Sequence, residues 1–406
     1  MATLLVWSAL GFALVVGWLA VLVRMAPLLA SLLFLGFAGI EIWQNLLEDG
    51  LWNTLQEVVQ GDSFAWQKLF WYFPTHAVIA RGPDHALPAW LLAAFVLDAA
   101  ERRDPHLPTG LLMALALAWS PFAAVGLVPL LLGALLCAEG SARERLHAQL
   151  GAVKLAGWAL AVVMFGYYAS RWVPYALPEI FVAGVASSEA GFWLARADVE
   201  TASFLRTWAI FCAITFLGLS VPLLAVYRPG RGCSPRAVLV LAATLFLLVL
   251  PFYRYGYFND LPHRASLACI FVLLVLALDV LSRPRSHPVA AAALALVLSL
   301  GAASAVAQAL RYTHHLEWCL GHRPLRLVEP QQDMFERQLT SHFDRITQYV
   351  GSTRSPFFRI LADASEPRRI PTPLVPPERV QGLPPCPPLP PAEESGAHQV
   401  GLGPHR

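Results

Sequence analysis

Between Pro108 and Ala138 the chain reads PTGLLMALALAWSPFAAVGLVPLLLGALLCA, about 30 residues without one charged side chain. At 1.5 Å per residue a single helix of that length would measure about 45 Å, against a hydrocarbon core of about 30 Å. Ser120-Pro121 lies near its middle, where proline removes a backbone donor and restricts the residue before it. The flanking charges decide between one crossing and two. Arg102 and Arg103 precede the stretch, and Arg143 and Arg145 follow it. One helix, tilted and kinked at the proline, would put these pairs on opposite sides of a membrane. Two short helices hinged at Ser120-Pro121 put both on the same side, and the positive-inside rule favours this hairpin.

The composition agrees with a membrane setting. Of 406 residues, 57% are hydrophobic and 14% are charged, against about 25% charged in a typical soluble domain, and the mean hydropathy is +0.54. This excludes an ordinary soluble globule. Apolar blocks run over about 2–23, 26–43, 83–100, 108–138, 150–169, 206–227, 237–252, 264–282 and 288–310. With the fourth block split, the expectation is an all-α polytopic bundle of about ten spans, one short hairpin among them, with both termini outside. The short loops bearing Arg24, Arg102 and Arg103, Arg143 and Arg145, Arg228, Arg231 and Arg236, and Arg283 and Arg285 then all face the cytoplasm. The longer loops at about 44–83, 170–205 and 253–263 face the other side. A net charge of +2, with Lys68 and Lys154 the only lysines, gives no footprint for nucleic acid.

Three divisions follow: a transmembrane domain over 1–311, an extracytoplasmic segment over 312–370, and a Pro-rich tail over 371–406. In the second, Phe335, Leu339, Phe343, Ile346 and Val350 recur at helical spacing and predict an amphipathic helix over 333–350. Ten of the 32 prolines lie between Pro371 and Pro391, which excludes helix and sheet there. Met1 to Val23 lacks a basic n-region and ends at Arg24, not at a small-residue cleavage site, so it reads as a span and not as a signal peptide. Cys137, Cys212 and Cys269 sit in apolar runs as small hydrophobes. No CxxC motif or Cys/His cluster of metal-site spacing is present, nor a Gly-rich phosphate loop, GxSxG or HExxH.

Ionisable groups at bilayer depth are functional candidates by default. Few are deep here. Glu41 ends the second block, while Asp98 and Asp279 fall in last turns within reach of Arg102 or Arg103 and of Arg283. The opposite loops are richer. Residues 48–73 mix Glu48, Asp49 and Asp62 with a dense aromatic cluster, suited to an interfacial helix or to a groove for a lipid chain. Pro83-Asp84-His85 sets an acid beside an imidazole at the mouth of a span. Asp84 is a candidate helix cap, which would turn His85 inward. The loop Tyr253-Arg254-Tyr255-Gly256-Tyr257-Phe258-Asn259-Asp260-Leu261-Pro262-His263-Arg264 offers guanidinium forks suited to a phosphate. Asp260 could equally pair with Arg264 as a structural clasp.

Three of these stretches carry a resemblance. Pro83, His85, Ala86, Leu87, Trp90 and Leu91, the hairpin from Gly110 through Ser120-Pro121-Phe122, and Asn259-Asp260 with Arg264-Ala265-Ser266 resemble uncharacterised bacterial multi-pass proteins laid out like the GT-C superfamily of lipid-carrier glycosyltransferases. Gln348-Tyr349-Val350-Gly351 and Ser355-Pro356-Phe357-Phe358 are similar to the same group. The resemblance implies sugar transfer from a polyprenyl-phosphate donor at the outer face of the cytoplasmic (inner) membrane. The candidate catalytic residues are then Asp84, His85, Asp62 and Asp260, and the candidate phosphate-binding residues Arg254, Arg264 and His263. It leaves room for a divalent cation, with no residue assigned as its ligand. The N-terminal catalytic portion of that superfamily has no clear counterpart, as if the chain began partway along a longer ancestor. The alternatives are a transporter or flippase for an amphiphilic solute, and a non-catalytic membrane scaffold.

The hairpin has a direct test. A reporter fused near residue 105 should map to the same face as one fused near residue 145, and mapping to opposite faces would establish a single crossing.

Overall fold

The computed structural model describes residues 2–39, 42–43, 46, 50, 75–170, 191–192, 200–228, 234–254 and 260–322. The expected amphipathic helix over 333–350, the Pro-rich tail and the aromatic segment around Asp62 lie outside the described residues. Helices α1 (Ala2–Leu22) and α2 (Pro27–Leu35) are followed by α3 (Thr75–Arg81), α4 (Pro83–Glu101), α5 (Thr109–Trp119) and α6 (Pro121–Cys137). Next come α7 (Ala142–Gln149), α8 (Ala152–Ser170) and a two-residue strand β1 (Gly191–Phe192). The rest comprises α9 (Thr201–Cys212), which runs through one π turn into α10 (Gly218–Val226), α11 (Pro235–Val249), β2 (Tyr253–Arg254), α12 (Asp260–Ala265), α13 (Leu267–Leu281) and α14 (Pro288–His322). The described chain is thus helical, apart from an antiparallel pairing of Gly191 with Arg254 and Phe192 with Tyr253.

Among the described residues, four helical segments are long and apolar enough to cross a membrane: Thr201–Val226, Pro235–Phe252, Leu261–Leu281 and Pro288–Leu310. Two bent pairs, Val6–Leu22 with Pro27–Leu35 at 117° and Ala142–Gln149 with Ala152–Tyr168 at 72°, raise the number to six if each is one span. Helix α13 is the centre. Every residue from Leu267 to Val280 is buried, and α4, α6, α10, α11 and α14 pack around it. A helix apolar on all sides has no face to give to water, so it takes the position surrounded by other helices.

The break at Ser120 is where the sequence places it. Ser120 is extended, with φ −157° and ψ 120°, between α5 and α6. Two sets of contacts show that the chain turns back there. The N–H of Glu139, just after α6, donates to the carbonyl of Arg103, just after α4, at 2.9 Å. Gln149 donates to the carbonyls of Pro105 and Leu107 at 3.1 Å each and accepts from Thr109 Oγ1 at 2.8 Å. Both ends of the α5–α6 pair therefore lie at one end of the bundle. Arg103 itself takes φ 53° where α4 ends, its N–H donating to the Ala100 carbonyl and the Asp104 N–H to that of Ala99, a left-handed helix cap usually left to glycine.

That same end collects the arginines. Trp7 stacks on Trp119 with ring centroids 5.1 Å apart, and Gly11 abuts Leu87, so α1 starts at the far end and delivers Arg24 to this one. Arg102 pairs with Asp98 at 2.9 Å. Arg145 caps α6 through the carbonyls of Leu135 and Leu136, 2.9 Å each. Helix α7 begins with a capping box in which Glu144 accepts from the Ser141 N–H at 2.6 Å. This backbone bond, with the Ser141 side chain, holds the exposed Glu144 carboxyl below its ordinary pKa. Buried Asp279 is the anchor. Its Oδ2 accepts from Arg236 at 2.6 Å, from Tyr227 at 3.0 Å and from Arg283, and Arg236 also meets Glu101 at 2.8 Å. One carboxylate so joins α4, α11, α13 and the end of α10. The expected pairs Asp98 with Arg102 and Asp279 with Arg283 are both present.

Small residues set the closest approaches, as expected where apolar helices gain little from hiding apolar surface. Gly110 and Gly157 let α5 and α8 meet backbone to backbone, a Cβ on Gly110 falling 2.5 Å from the Trp158 nitrogen. A Cβ on Gly126 of α6 would collide with the carbonyl oxygen of Ala265 at the end of α12. Gly126→Ala should therefore cost about 1–3 kcal/mol by overpacking, read as a lower melting temperature in detergent. Gly17→Ala, whose Cβ meets nothing within 4 Å, should leave the protein as stable or gain slightly.

Candidate functional site

The site lies at the end opposite the arginine loops, where α4 begins, the α5–α6 turn sits and α12 enters α13. Gly82 is the N-cap of α4, with no side-chain cap, and Pro83 starts the first turn. The expectation that Asp84 caps this helix is corrected here. Asp84 stands in the first turn, its side chain 56% exposed, and His85 turns inward at 15%. Inward orientation was expected; its cause is helix phase, not the cap.

Ser120 meets His85. As N-cap of α6 its Oγ accepts from the Ala123 N–H at 3.2 Å, and it lies 2.7 Å from His85 Nδ1. On the other side of the ring, an Nη of Arg264 is 2.6 Å from His85 Nε2. A guanidinium can only donate, so Nε2 accepts and carries no proton. A neutral imidazole then carries its one N–H at Nδ1, and it donates to Ser120. Phe122 completes the cluster. Its ring makes an edge contact with His85 at 5.9 Å and lies under the Arg264 guanidinium, 5.5 Å from Cζ, a distance suited to cation–π attraction. Asp84 Oδ2 lies 3.5 Å from His85 Nε2. With that nitrogen unprotonated, this approach is not an ion pair.

Three segments far apart in the chain, at 84–85, 120–122 and 264, thus meet at one point. Of the residues assigned from sequence, Asp84, His85 and Arg264 come together. His263 is buried on α12, its carbonyl accepting from Ser266 at 3.2 Å. Arg254 ends β2 and Asp260 opens α12, but their side chains, like all of Asp62, lie outside the described residues. Ser120 and Phe122 are the site residues that sequence reasoning did not name as such. The signal was present in Ser120, a cap-forming residue directly before a helix-starting proline. Among the described residues no group of three or more His, Cys, Asp or Glu is arranged to hold a metal ion.

Comparison with protein-family models, with curated proteins and with solved structures gives no match to this chain. The cluster must therefore be read from its own chemistry: one cationic fork, one neutral nitrogen acceptor and one exposed carboxylate at the end of an apolar bundle.

Ser120→Ala removes a helix cap and the partner of a mostly buried imidazole together. It should lower stability by about 1–2 kcal/mol, measured as a shift in the thermal unfolding midpoint in detergent.

Proposed function

We propose that this chain is a ten-span protein of the bacterial cytoplasmic membrane, similar in layout to GT-C glycosyltransferases, and that it handles a polyprenyl-phosphate sugar at its His85 end. The ten crossings are α1, α2 with the residues after it, α4, α5, α6, α8, α9 with α10, α11, α12 with α13, and α14. The arginine-rich end faces the cytoplasm, and the C-terminal tail is extracytoplasmic.

One observation carries this reading. The three stretches bearing the resemblance, around His85, Ser120–Phe122 and Arg264, are separate in sequence yet converge on a single cluster. Roles follow from the side chains. Arg264 holds the carrier phosphate, its charge favouring the oxygen on which negative charge grows as the sugar leaves. Asp84, the exposed carboxylate beside it, takes the proton of the acceptor hydroxyl as the new glycosidic bond forms and the sugar–phosphate bond breaks. Asp62 and Asp260 are further candidates for that base, and Arg254 for a second phosphate contact. Exposed apolar side chains near the site, such as Trp7 and Trp119, suit a lipid carrier approaching from the bilayer.

Deleting the gene should change the cell-envelope glycans, and Arg264→Ala or Asp84→Ala in full-length protein at normal abundance should reproduce the change. Unaltered glycans in the deletion strain would exclude the transferase reading.

A further inference from the structure

The imidazole at the centre of the cluster limits what can bind there. His85 Nε2 is an acceptor held in place from behind: Ser120 Oγ fixes the proton on Nδ1 at 2.7 Å, and Ser120 is itself immobilised as the α6 cap and fully buried. In front of Nε2 stands a guanidinium N–H at 2.6 Å. A ligand oxygen that takes this N–H leaves Nε2 without a donor unless the ligand supplies a hydrogen of its own. A buried acceptor left unmatched weakens binding by roughly tenfold or more. The carboxylate of Asp84, 3.5 Å from Nε2, opposes a second negative charge on the ligand.

We propose that the His85–Arg264 pair is a binding site for a singly charged oxygen acid that keeps one O–H, namely a phosphomonoester monoanion, and that Ser120 is the positioning residue that sets this preference. The ligand's anionic oxygen receives the Arg264 N–H, and its P–O–H donates to Nε2. The phosphate group of a diester carries the anionic oxygen but no P–O–H, and by itself it satisfies only half of the site. This rests on the proposed transferase reading for its physiological meaning: the site would hold the released carrier monophosphate more tightly than the sugar-charged diester, so the spent carrier inhibits.

The test uses the full chain in nanodiscs, with dodecyl phosphate, its methyl diester and inorganic phosphate as probes. Histidine ¹⁵N spectra should show His85 neutral with the proton on Nδ1, assigned by its loss in His85→Phe. Dodecyl phosphate at pH 6 should bind at least tenfold more tightly than the methyl diester. His85→Phe should abolish that preference, and Arg264→Ala should weaken both. Inorganic phosphate binding as tightly as dodecyl phosphate would assign the site to free phosphate and not to a lipid headgroup, with the requirement for one anionic oxygen and one P–O–H retained. A proton on Nε2, or equal affinity for monoester and diester, would overturn the proposal. Because these readouts need no turnover, they can fail while the glycan phenotype stands, or succeed while it does not.

Discussion

A helix can be broken inside an apolar bundle only if the polar groups exposed by the break find partners, and here one hydroxyl provides the closure. Pro121 has no N–H to satisfy, the Ala123 N–H goes to Ser120 Oγ, and the same oxygen accepts a hydrogen bond from His85 Nδ1–H. The turn reverses the chain, and the direction of each later helix depends on that reversal. Without it, Glu139 could not reach Arg103, and Gln149 could not bridge Pro105, Leu107 and Thr109. Arg143 and Arg145 would then stand at the end opposite Arg102 and Arg103. The sorting of charge along the whole bundle is thus downstream of a Ser-Pro pair.

The sequence made the break and the charge sorting legible because both follow from local rules: proline chemistry, helix length and the spacing of arginines. Pairs four residues apart, Asp98 with Arg102 and Asp279 with Arg283, were legible for the same reason. What joins them to the rest was not. Arg236 and Tyr227 reach Asp279 from 43 and 52 positions away, and no periodicity announces such partners. His85 and Arg264 each stood out as polar residues at the mouths of apolar spans. Their contact across 179 positions required the fold. Asp84 has a favourable capping side chain but stands two positions past the cap, where Gly82 already serves.

The packing explains why the two ends can hold polar clusters at all. Apolar side chains such as Val153, Val162, Val249 and Val289 point outward with two thirds or more of their surface exposed, an arrangement compatible with lipid and costly in water. Burial of apolar surface then contributes little to holding the helices together. Close contact at Gly110, Gly126, Gly157 and Gly301 and hydrogen bonding between helices carry more of the specificity.

The two clusters use opposite chemistry for that task, and the difference bears on which one can exchange partners. At the arginine end a buried carboxylate faces two guanidinium groups and a phenol. Removing one partner of such a charge pair typically costs about 3–5 kcal/mol, so the clasp is suited to staying closed. At the other end the contact between Arg264 and His85 joins a guanidinium to a neutral nitrogen, and a hydrogen bond with one charged partner has a net worth of about 1.5–3 kcal/mol. A ligand that offers an anionic oxygen to the guanidinium and a proton to the imidazole replaces that bond with two. The closed carboxylate clasp therefore fixes the bundle, while in the proposed site the imidazole, held from behind by the hydroxyl that closes the helix break, is the acceptor placed for exchange.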